Sequence, residues 1–187
     1  MELASRKKKD ETAAPPETPP SVALQPEAEP MFDLIELLFF AYRDFVGDAD
    51  RLLENYGFGR AHHRVLHFVS RRPGLTIAEL LDILKITKQS LNRVLKELRD
   101  KGFVEVRAGV IDRRHRQLYP TKTGVNLALN VAKLQSQRFR RVFAHLQKSA
   151  RPDAMAFLLA MIDPREQEKV ATLVASGARL KPLSRDA

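Results

Sequence analysis

Six polar side chains within nine positions could read a nucleic acid. When Leu91, Val94, Leu95 and Leu98 are assigned to the buried face of one helix, Lys88, Gln89, Ser90, Asn92, Arg93 and Lys96 remain on the other. Gln and Asn match adenine edges in the major groove, Arg matches guanine, and Lys with the hydroxyls of Ser90 and Thr87 suits phosphates. A solvated helix face usually scatters acids among its bases. Here the acids, Glu97 and Asp100, occupy only the C-terminal half. The residue types therefore point to double-stranded DNA.

A second cluster follows in "GVIDRRHRQLYPT" (109–121), where Asp112, Arg113, Arg114 and Arg116 crowd between two short strand-like runs. Across residues 85–122 eleven basic residues face four acids, a net +7 out of the whole-chain +9, with a sequence pI of about 10.0. Such a patch neutralises phosphates and makes binding fall steeply with salt.

The surrounding pattern supplies the elements that must hold these groups. Thr76 and Glu79 form a capping box ahead of Ile77, Leu80, Leu81 and Leu84. About three residues later Thr87 caps the next helix, and Gly102 ends it. Two short capped helices at this spacing predict a helix-turn-helix. "FVEVRAG" (103–109) alternates and "RQLYPT" (116–121) returns, which predicts a two-stranded hairpin, a wing. Pro120 cannot donate a ladder bond, so the returning strand is expected to be an edge ending there.

Helical periodicity also marks 32–56, 60–71, 121–147 and 152–162, and Asp163, Pro164 and Glu166 start a last helix. The phenylalanines at helical spacing are expected to pack cores and interfaces. The first helix is apolar nearly all round between Phe32 and Tyr42, so it should be buried on more than one side, the second side being another subunit. Residues 1–30 carry six of the eleven prolines and read as a disordered tail, and 179–187 as a flexible C-terminus. The expected class is mostly α (α+β). A winged helix-turn-helix spans 59–121, and 31–58 with 122–178 make a helical dimerisation region.

Residues 59–124 resemble the winged helix-turn-helix of the MarR family of bacterial transcription regulators. The motifs that carry the resemblance are "RVLHFVSRRPGLTIAELLDILKITKQSLNRVLKELRDKGFVEV" and "DRRHRQLYPTKTG", with Asp112, Arg114, Leu118, Thr121 and Gly124 meeting the wing pattern. Pro120 stands where the family has an aliphatic residue. The resemblance implies a homodimer whose recognition helices, Thr87 to Lys96, enter successive major grooves of a pseudo-palindrome, half-sites about 10 base pairs apart. It implies that Asp112 pairs with Arg114 to brace the wing. Arg113 or Arg116 is then left for the minor groove.

His62, His63 and His67 stand on the helix before the capping box. A structural role is the first reading. A crevice for a small aromatic or phenolic effector is the second, implied by the family, and a metal site the third. No metal and no cofactor is expected. The absence of cysteine excludes disulfides and thiolate sites. No phosphate loop, nucleophile elbow or metal-ligand spacing suggests an enzyme. "LIELLFFAY" (34–42) is far short of the roughly 20 apolar residues of a membrane span, and the N-terminus lacks the apolar run of a secretory signal, so a cytoplasmic protein with no membrane partner is expected. The rival reading is a winged-helix protein-interaction module with little specific DNA binding. The net +7 patch argues against it.

Overall fold

The leucines and valines spaced for one buried face meet in a single core. A computed structural model of the protein describes residues 29–108, 116–177 and 180. The order is α1 (Phe32–Glu54), α2 (Arg60–Arg71), β1 (Leu75–Thr76), α3 (Ile77–Leu84), α4 (Lys88–Asp100), β2 (Val104–Ala108), β3 (Arg116–Pro120), α5 (Lys122–Phe143), α6 (Ala150–Ala160) and α7 (Pro164–Ser176). The fold is mostly helical, with one small antiparallel sheet.

Val65, Leu66 and Val69 of α2, Leu80 and Leu84 of α3, and Leu91, Val94, Leu95 and Leu98 of α4 close on one another in the core. Leu118 of β3 enters from the sheet, and Leu127 and Val131 of α5 lie behind it. At about 25 cal/mol per Å² of apolar surface removed from water, this burial is the main term holding the helix-turn-helix together.

The capping box forms as the sequence predicts. Glu79 N donates to Thr76 Oγ1 at 3.2 Å, and Thr76 N donates to Glu79 Oε2 at 2.7 Å. Lys85, in the left-handed region at φ 50°, ends α3 and turns the chain into α4. Arg64 Nη2 caps the same end by donating to the Leu84 carbonyl at 3.0 Å. Gly102, at φ +74°, supplies the stop after α4. Asp163 caps α7 by accepting from Arg165 N at 2.9 Å, with Pro164 at its first position.

The sheet corrects one expectation. The β2–β3 hairpin forms as expected, but among the described residues β1 joins it on the far side, in the order β1-β3-β2, so β3 is central rather than an edge. Its partners are Leu75↔Leu118 on one side and Val106↔Leu118 on the other. Two residues of β1 carry too little pattern to be seen in the sequence. Pro120 is tolerated because of the alternation of the ladder. Gly74 N donates to Leu118 O and Thr121 N to Phe103 O, so even positions face β1 and odd ones face β2. The nitrogen of Pro120 thus faces the β1 side, beyond the end of that strand.

Helix bounds differ from expectation at the ends. α5 stops at Phe143 rather than near residue 147, and α6 runs 150–160. α1 differs in environment. Its C-terminal half buries Val46, Ala49 and Leu53, but Phe32, Leu34, Ile35, Leu37, Leu38, Phe39, Phe40 and Tyr42 are exposed, Phe39 at 67% and Leu37 at 63%. Among the described residues of one chain, this half of the helix has no apolar cover. Phe58 and Phe103 are core residues, whereas Phe139 and Phe157 are exposed.

Candidate nucleic-acid interface

α4 presents the polar face read from the sequence. Its four apolar residues are buried, and Lys88, Gln89, Ser90, Asn92, Arg93 and Lys96 are all exposed on the other side. Thr87 caps the helix, accepting from Ser90 N at 3.2 Å, and its hydroxyl lies 2.9 Å from Ser90 Oγ. These two hydroxyls hold the helix start. Lys88, Gln89, Asn92 and Arg93 carry no such local duty among the described residues, so the N-terminal half offers two amides and two cations to whatever approaches it.

The two acids of α4 are occupied. Lys96 Nζ donates to Asp100 Oδ2 at 2.9 Å. Glu97 Oε2 lies 2.9 Å from His62 Nε2. The acids therefore do not offset the basic face at its N-terminal end.

Of the wing residues, Arg116 opens β3, opposite Ala108, and is exposed. Asp112, Arg113 and Arg114, with the turn they occupy, lie outside the described residues. Beside the hairpin, Arg107 Nε donates to Glu105 Oε1 at 2.9 Å and its guanidinium lies 4.4 Å from the centroid of the Tyr119 ring. Thr121 fixes the far end of the wing. Its hydroxyl donates to the Gly102 carbonyl at 2.7 Å and accepts from Gly124 N at 3.1 Å, so one side chain joins the end of α4 to the start of α5.

Two adjoining clefts of about 390 and 410 Å³ run between the last turns of α4 and the wing strands; both are lined by Arg99, Val106 and Arg116. Arg99 belongs to the basic patch of residues 85–122 but lies outside the six polar residues that the sequence assigns to DNA reading. Its place at i+7 from Asn92 and i+3 from Lys96 puts it on their face, and that spacing was the available signal.

The three histidines do not share one crevice. His62 turns to Glu97, stacks on Phe58 at 4.8 Å, and accepts from Gly59 N at its Nδ1 (3.1 Å). An amide can only donate, so the ring proton is on Nε2 and points at Glu97. His63 and His67 do meet, edge to face, with centroids 6.3 Å apart. Burial pushes both below the usual imidazole range, His67 to about 4 with help from His63, Arg71 and Arg72. Both rings are neutral near pH 7. Among the described residues no three His, Asp or Glu side chains are grouped as a metal would need.

This geometry is matched by known proteins. The model of the MarR family matches residues 56–115. The HTH-type transcriptional regulator PetP of Rhodobacter capsulatus is 46% identical over 134 residues, 70% of this chain and 78% of that protein. The chain belongs to the MarR family. Its fold agrees with this membership. A MarR transcriptional regulator from Methanosarcina mazei superposes with a TM-score of 0.59 at 25% identity, over 70% of this chain and 94% of that one. FabT of Streptococcus pneumoniae, solved in complex with DNA, shares the fold at a TM-score of 0.63 and 15% identity, over 70% and 93% of the two chains. As a MarR-family protein the chain is a transcription regulator, and α3–α4 with β2–β3 are its winged helix-turn-helix. No helix among the described residues is long and apolar enough to cross a membrane.

Proposed function

We propose that this MarR-family regulator works in the cytoplasm as a homodimer. It binds a pseudo-palindromic operator, placing α4 of each protomer in successive major grooves about 10 base pairs apart. The observation that carries the reading is the exposed face of α4. Gln89, Asn92 and Arg93 stand there without carboxylate partners among the described residues, beside clefts lined by arginine. Gln89, Asn92 and Arg93 read base edges. Lys88 and Lys96 meet phosphates, and Thr87 and Ser90 hold the helix end against them. Arg113 or Arg116 reaches the minor groove, with Asp112 paired to Arg114 and bracing the turn.

The exposed apolar half of α1 supports the homodimer, since water-exposed Phe32, Leu37, Phe39 and Phe40 on one helix call for a partner surface. The 31–58 and 122–178 segments form that dimerisation region. Half-buried and neutral, His63 and His67 suit contact with a small aromatic or phenolic effector better than with a metal ion.

A shift assay with duplexes selected from random DNA, run across a salt series, tests the function. A sequence-preferring complex that weakens with salt is expected. The absence of any sequence preference at low salt overturns the reading and favours a protein-interaction module.

A further inference from the structure

The clefts between α4 and the wing hold more positive charge than the protein itself neutralises. Four cations line them: Lys96, Arg99, Arg107 and Arg116. Two are paired within the chain, Lys96 with Asp100 and Arg107 with Glu105. The guanidinium groups of Arg99 and Arg116 make no ion pair among the described residues. They come from elements far apart in sequence, the last turn of α4 and the first residue of β3, yet line the same two clefts. Two like charges facing one cleft repel each other, so the arrangement is completed by an anion that both can reach.

We propose that Arg99 and Arg116 form a clamp for one backbone phosphate of DNA, at the place where the strand passes from the recognition helix to the wing. The inference rests on the DNA-binding reading above and assigns Arg116 a different role from the one the sequence suggested. Arg116 grips phosphate at the base of the wing, and entry into the minor groove is left to the turn beyond it. Arg107, stacked on Tyr119 and held by Glu105, forms the wall of the cleft. Val106 forms the floor. A guanidinium offers paired N–H donors that match phosphate oxygens, so two of them fix the strand's direction as well as its distance. The clamp sets the angle between helix and wing on the duplex and carries no sequence information.

The test uses the full chain and two labelled duplexes of equal length and unrelated sequence, with affinity measured from low to moderate salt. Arg99→Gln, Arg116→Gln and the double variant are compared with wild type, and Arg165→Gln on α7 is the control. The two single variants should weaken binding to both duplexes equally, about three- to tenfold each. The double variant should lower the slope of log affinity against log salt by about 0.9, one phosphate. Loss in the double variant should be less than the product of the single losses, because the two side chains share a target. Arg116→Lys should keep the slope, since it keeps the charge. A double variant with the wild-type slope, or a loss confined to one duplex, overturns the clamp while leaving DNA binding standing. Wild type that binds neither duplex overturns the DNA reading itself.

Discussion

His62 Nε2 lies 2.9 Å from Glu97 Oε2, across 35 positions of sequence, and so fastens α2 to α4. The same ring accepts from Gly59 N and stacks on Phe58, leaving none of its polar atoms for a ligand. His62→Ala should therefore cost about 2 kcal/mol in denaturant unfolding, from a charge-assisted hydrogen bond, a cap and an aromatic contact. Zinc should not change the melting temperature of wild type. A zinc-dependent rise lost in His62→Ala would return this residue to the metal reading.

Gly124 is fixed by space. A Cβ there would overlap the Phe103 carbonyl oxygen, with Leu66 of the core in contact beside it. Its N–H meanwhile donates to the capping Thr121 hydroxyl. Gly124→Ala should destabilise the fold by about 3 kcal/mol, because backbone cannot yield as a side-chain tip can. A melting temperature within a degree of wild type would show that α5 can move away from the wing at little cost.

The neutral histidines give the protein a pH dependence of known sign. The folded-state value for His67 is held down near 4 by burial, against about 6.5 when unfolded. Between those values the unfolded chain binds a proton that the folded chain refuses, so stability falls as pH drops from about 6.5 to 4. His63 is shifted in the same direction, also by burial, with Asp50 opposing it. Thermal melts of wild type and His67→Gln over that range should converge as the pH falls, the variant losing less. Parallel curves would mean that His67 takes up its proton without cost.

On the proposed reading, base reading and phosphate contact separate by position. Arg93 stands exposed on the N-terminal half of α4, and Lys122 opens α5 after the wing. Arg93→Ala should lose about 1–3 kcal/mol of discrimination between the selected site and a mismatched one. Lys122→Ala should weaken both by the same factor and flatten the salt slope. Equal, uniform losses from the two variants would contradict the assignment.

Much of this was legible because the helix-turn-helix is built from local signals. The Thr76–Glu79 box, the Thr87 cap and the Leu91–Leu98 spacing each act within one turn or two, so sequence neighbours decide them. Long-range pairings were not legible. β1 is two residues that become a strand only because Leu118 lies opposite, and this made β3 central. His62 reads as one of three histidines until Glu97 meets it. Arg99 and Arg116 come into one cleft only when the wing folds against α4.

The exposed half of α1 gives the most direct test of assembly. Phe32, Leu34, Leu37, Phe39 and Phe40 lie open to solvent on a helix whose other half is anchored by Ala49 and Leu53. An apolar surface of that kind is stable in water only when covered, and a second copy, carrying the same surface, can cover it about a two-fold axis. Wild type should sediment as a dimer at micromolar concentration. Phe39→Glu, which places a carboxylate in that surface, should sediment as a monomer with its helical circular dichroism largely kept, because Phe39 is 67% exposed and lies outside the core of the described residues. It should also bind a two-half-site duplex far more weakly while a single half-site is little affected, since the dimer gains from two linked contacts. A Phe39→Glu protein that remains dimeric would place the interface on α5–α7 instead.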